Sequence, residues 1–104
     1  MKDNPYRQDK EGMKELLDQY NNMREGKGYS FIEEEAFEHL VDYFDENDDL
    51  SAALEAAEYG IQQYPYSSIL QIKKADILIA KKSYREALDI LEKAELLDRG
   101  DINL

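Results

Sequence analysis

The chain has 104 residues, enough for one domain with a small core. It has no cysteine, which excludes disulfides and thiolate metal sites. Thirteen bases against 24 acids leave a net charge of −11, and no apolar run approaches the roughly eighteen residues a membrane span requires.

The first predicted helix covers residues 9–25, where Met13, Leu16, Leu17, Tyr20 and Met23 recur at helical spacing. Gly26-Lys27-Gly28 ends it, since glycine accepts the left-handed turn that closes helices. Tyr29, Phe31 and Ile32 come next as an apolar elbow. The second helix runs from Glu33 to Asp45 with Phe37, Leu40, Val41 and Phe44 as its buried stripe. Glu33, Glu34 and Glu35 suit the positive end of its dipole.

Asn47-Asp48-Asp49 interrupts the pattern, and Asp48 or Asp49 caps the next helix. This third helix, Leu50 to Tyr64, is rich in small residues: Ala52, Ala53, Ala56, Ala57 and Gly60. Pro65 stops it, because the residue before a proline is pushed out of the helical region. Ser67 or Ser68 opens a fourth helix that reaches Lys81 and carries apolar residues on more than one face, so it is either sandwiched or waiting for a partner. The fifth, Tyr84 to Leu97, places Tyr84, Ala87, Leu88, Leu91 and Ala94 three and four apart, and Arg99-Gly100 ends it. No strand-like alternation occurs, so the expectation is all-α.

A shift of 34 residues superposes Val41 on Ala75, Phe44 on Leu78, Ala53 on Ala87, Ala57 on Leu91 and Gly60 on Ala94. A fixed period of that size marks stacked helix pairs. The small residues Ala53, Gly60, Ala75, Ala87 and Ala94 let paired helices approach closely. A larger side chain there costs about 1–3 kcal/mol of overpacking.

Two copies of eight spaced positions carry a family resemblance: Phe37, Leu40, Val41, Phe44, Ala53, Ala57, Gly60 and Pro65, then Gln71, Lys74, Ala75, Leu78, Ala87, Leu91, Ala94 and Arg99. Together with Ser83-Tyr84-Arg85-Glu86-Ala87-Leu88, they resemble the tetratricopeptide repeat. The resemblance implies one domain over 1–104: a leading helix at 9–25, repeat 1 at 34–66 and repeat 2 at 68–100, wound into a right-handed superhelical stack. Val41 stands where a small residue is usual and Ala57 where a large one is, so volume is exchanged between the two sites. Lys74 and Arg99 replace the usual Leu and Pro, which makes the second copy the looser match. A third copy would start at Ile102, so the expectation is a fragment of a longer array or a chain that closes its end by self-association.

In such repeats the first helix of each pair lines a concave groove. The implied groove residues are Glu35, Glu38, His39, Asp42 and Asp45, then Ile69, Ile72, Lys73, Asp76 and Ile79. The family's carboxylate clamp needs Lys, Arg and Asn where this chain has acids, so acidic peptide tails are not the expected ligand. Charge placement agrees. Residues 1–27 carry six acids and six bases, residues 73–104 seven of each, and eleven acids with no Lys or Arg lie between Lys27 and Lys73. That segment repels a nucleic-acid backbone and draws a basic partner, or it is simply a solvated face.

Asp45, Asn47 and Asp49 open like a calcium loop, but Leu50 and Ala56 stand where glycine and a bidentate glutamate are needed, so a helix-capping loop is expected. His39 is the sole histidine, has no second nitrogen ligand for zinc, and reads as a surface residue. No phosphate loop, nucleophile pair or opposed carboxylates stand out. The expectation is a non-catalytic, cytoplasmic protein–protein interaction module without metal or cofactor, not acting on nucleic acid or membrane. It would hold a basic or amphipathic segment. The alternative is a structural role, as part of a longer array or as a homodimer through the open C-terminal end.

Overall fold

A computed structural model describes residues 10–27 and 31–100. Within them the chain is all-helical: α1 (Lys10–Arg24), α2 (Glu34–Glu46), α3 (Leu50–Gln63), α4 (Ser68–Ala80) and α5 (Tyr84–Arg99). Asp9, Gly28, Tyr29 and Ile102, on which some of the expectations fall, lie outside the described residues. No described helix is long and apolar enough to cross a membrane.

Each helix packs on the next in sequence, and α2 also touches α4. The period is written into the backbone. α4 begins at 68 against 34 for α2, and α5 at 84 against 50 for α3. The turns repeat with the same offset. Asp49 N–H donates to the Phe44 carbonyl at 2.9 Å, and Ser83 N–H to the Leu78 carbonyl at 2.8 Å. Asp48 N–H donates to Asp45, and Lys82 N–H to Ile79. These are the paired bonds of a Schellman closure, whose pivot residue must be left-handed. Asp48 (φ 60°) and Lys82 (φ 67°) are those pivots, although neither is glycine. The same closure ends α1, with Gly26 as pivot at φ 71°.

Helix starts are set by side-chain chemistry. The Asp49 carboxylate accepts from Ala52 N–H at 3.1 Å, and the Ser67 hydroxyl from Leu70 N–H at 3.2 Å, each satisfying a donor that has no partner within its own helix. The Asp45–Asp49 segment is thus a closing turn and then a cap. Helix ends depart from expectation by more than one residue in one place. α5 continues to Arg99 rather than stopping at Leu97, because no proline stands where Pro65 halts the α3 pair, and Gly100 closes it in the left-handed region.

The main core gathers Tyr20, Ile32, Phe37, Leu40, Val41 and Leu70 around the slim residues Ala53, Ala56 and Ala57. Val41 and Ala57 are both buried in this cluster. Gly60 marks the tightest approach: a Cβ there would lie 2.9 Å from Leu70 Cδ1 and 3.0 Å from Phe37 Cγ. A second, smaller cluster of Ala75, Leu78 and Ala87, with Leu54, Ile90 and Leu91 against it, holds α5 to α4. Of the elbow, Ile32 is buried and Phe31 exposed.

Lys74 explains itself in the fold. Its stem is largely covered and its ammonium reaches Glu58 of α3 at 3.6 Å. α1 is tied across in the same way: Arg24 meets Glu55 at 3.1 Å and lies 5.6 Å from the Tyr20 ring centroid. Tyr20 packs edge-on to Tyr59 and tilted against Phe44.

Candidate functional site

The sequence-derived groove residues divide between α2 and α4. On α2, Glu35 and Asp45 are exposed, while Glu38, His39 and Asp42 are half-buried. On α4, Ile69, Ile72 and Ile79 are 48, 37 and 42% exposed. Asp76 is exposed as well, and Lys73 is half-buried.

The two rows meet at a single ion pair. Lys73 Nζ donates to Asp42 Oδ1 at 2.8 Å, with the lysine side chain largely covered. Asp42 and Lys73 are therefore each other's partners. Attraction for an external cation rests on Glu35, Glu38 and Asp45 instead.

His39 departs from the sequence expectation. Its side chain is only 16% exposed, so it is not a surface histidine; its Nε2 lies 4.0 Å from Glu35 Oε2, one helical turn earlier. Residue 39 falls between the core stripe, with Leu40 beside it, and the acidic row.

Glu38 stands among other acids of α2. Burial pushes its carboxyl above the ordinary glutamate range; Glu34 and Glu35 push the same way, while Lys73 and His39 oppose them. A carboxylate held partly dry among like charges favours any cation brought close to it.

A second feature lies where α2 begins. A cleft of about 330 Å³ is lined by Glu34, Gln63, Tyr64, Pro65, Tyr66 and Ser67, where the start of α2 meets the α3–α4 turn. One wall is fixed. The Tyr64 hydroxyl donates to the Ile32 carbonyl at 2.8 Å, and its ring packs edge-on to Phe37 at 6.2 Å. Tyr66, also in the lining, is 61% exposed. In the sequence Pro65 reads as a helix stop and a repeat position, not as part of a cleft. The signal that could have found the cleft is an aromatic on each side of that proline.

Among the described residues, no group of three or more His, Cys, Asp or Glu is arranged to hold a metal ion. No family model matches the chain, and neither curated proteins nor solved structures show a significant similarity to it.

Proposed function

We propose that this chain is a tetratricopeptide-like interaction module: two helix pairs stacked in a right-handed superhelix, with no chemistry of its own. Its ligand is a basic or amphipathic protein segment laid along α2 and α4. The observation that carries this reading is the pairing of an exposed isoleucine row on α4 with an acidic row on the neighbouring α2. Apolar surface supplies affinity, and the uncompensated carboxylates select the sign of the partner and speed its arrival. Backbone recurrence at 34 residues supports the repeat assignment.

The test is fluorescence anisotropy with labelled peptides of matched length and opposite charge. Basic amphipathic peptides bind, more weakly as salt rises. Glu35→Lys reduces the salt dependence, and Ile72→Ser weakens binding at every salt concentration. Acidic peptides binding as well as basic ones would refute the electrostatic half of the reading. An Ile72→Ser chain that binds normally would refute the apolar half.

Leu88 and Leu96, exposed on α5, favour a second reading in which copies of the chain associate through that helix. Solution mass across concentration and salt separates the two. A dimer that survives high salt supports self-association, and a monomer throughout opposes it.

A further inference from the structure

Two hollows in the surface carry carboxylates, and they differ in one respect. The first, about 210 Å³, is lined by Glu55, Glu58, Tyr59 and Gln62 on the outer side of α3. Its acids are already used: Glu55 is paired with Arg24 at 3.1 Å and Glu58 with Lys74 at 3.6 Å. The second is the 330 Å³ cleft between the start of α2 and the α3–α4 turn. Its single acid, Glu34, has no ion pair among the described residues, and Tyr66 has no hydrogen bond or ring contact among them.

We propose that this cleft is a receptor for one arginine side chain of the bound segment, with Glu34 facing the guanidinium and the Tyr64 and Tyr66 rings flanking it. The proposal rests on the reading that the partner is basic, and it names how one of its residues is recognised.

Size, charge and rigidity each point this way. At 330 Å³ the cleft sits at the lower edge of small-molecule sites, which run from about 300 to 1,000 Å³, so it has room for one long side chain rather than a cofactor. The charge balance needs a check, because the starts of both α2 and α4 border the cleft, and each helix N-terminus presents about half a positive charge. Glu34, the one acid in the lining, brings the sum against those two half-charges to about zero, and Glu33 and Glu35, next to it in the chain but outside the lining, tip the field negative. An anion is disfavoured and a cation welcome. The walls are ready before binding, since Tyr64 is held by Ile32 and Phe37, and Pro65 restricts the turn. Arginine fits better than lysine because a planar guanidinium stacks on tyrosine faces while still donating to a carboxylate in its own plane.

The experiment is titration of the isotope-labelled chain with N-acetyl-arginine amide, monitored through the backbone amide signals. Expected are saturating shifts at Glu34, Tyr64, Tyr66 and Ser67, with weaker response to N-acetyl-lysine amide and none to N-acetyl-glutamate amide. Tyr66→Ala and Glu34→Gln each lower the affinity roughly two- to fivefold, the worth of one exposed cation–π contact or ion pair. Glu58→Gln, in the other hollow, leaves it unchanged. Arginine bound at Glu34 also lowers the titration point of Glu38, since Glu34 is among the charges holding that carboxyl up.

Shifts that never saturate, that track the glutamate probe equally, or that persist in both cleft variants overturn the proposal. Equal response to lysine overturns its guanidinium selectivity. The peptide experiment keeps the two readings apart. Basic peptides that bind Tyr66→Ala and Glu34→Gln as tightly as the unmodified chain sink the cleft and leave the groove standing. An arginine probe that saturates while no basic peptide binds does the reverse.

Discussion

Replacing Gly60 with alanine sets two known effects against each other. In the interior of a helix, alanine is preferred to glycine by about 1 kcal/mol. Gly60 lies within α3, so propensity alone predicts a gain. Packing predicts a loss. The new methyl carbon would sit 2.9 Å from Leu70 Cδ1, 3.0 Å from Phe37 Cγ and 3.1 Å from Phe37 Cβ. Phe37 and Leu70 are both fully buried, so neither moves aside into solvent. Overpacking of that kind costs about 1–3 kcal/mol. The net expectation is destabilisation by about 1 kcal/mol, read as a fall in melting temperature of roughly 4–8 °C for a domain of this size. Ala94 sits 34 residues later in α5 and is also buried, but it already carries the methyl. Ala94→Gly therefore also destabilises, by about 1 kcal/mol through propensity. Opposite substitutions at equivalent places thus both lower stability. A higher melting temperature for Gly60→Ala would refute the packing argument, because propensity would have won.

Three other substitutions have defined outcomes. Lys82→Gly relieves a left-handed lysine and raises the melting midpoint, by about 0.5–1 kcal/mol in free energy, whereas Lys81→Gly, at φ −88°, gives no gain. Tyr20→Phe removes a buried hydroxyl that has no hydrogen-bond partner among the described residues. The urea midpoint stays level or rises, equivalent to up to about 1 kcal/mol, and a clear drop would mean that the hydroxyl is satisfied. Burial holds the Glu38 carboxyl above its unfolded value, so its contribution to stability is full below that unfolded value and is lost as pH rises through the folded one. Glu38→Gln therefore gains on the unmodified chain as pH climbs from the acid range to neutrality in urea titrations, and an unchanged difference across that range would contradict the assignment.

Much of the fold was legible because the side chains that matter are few and regularly spaced. Ala53, Gly60, Ala75, Ala87 and Ala94 are all buried, and apolar spacing placed every described helix within about two residues. What the chain order concealed was local backbone geometry and pairing across helices. Lys82 gave no hint of a left-handed pivot, since lysine has no preference for that region; only its offset of 34 from Asp48 relates the two. The Asp42–Lys73 and Glu58–Lys74 pairs were hidden as well. An acidic block in the middle of the sequence says nothing of the lysines that fold back against it. His39 reads as a surface residue in the sequence because it stands alone without a second ligand, whereas the buried Leu40 and Val41 beside it turn that part of α2 inward.

The unequal size of the two apolar clusters has a dynamic consequence. α5 buries only Ala87 and Ala94 completely, and the cluster holding it is built from a few residues, while α2 and α3 share the larger one. Native-state hydrogen exchange should therefore be slowest in α2 and α3, with α5 opening without them. A ligand seated on α4 would slow exchange in its neighbour as well, tightening the loose end of the molecule at some entropic cost to its own affinity.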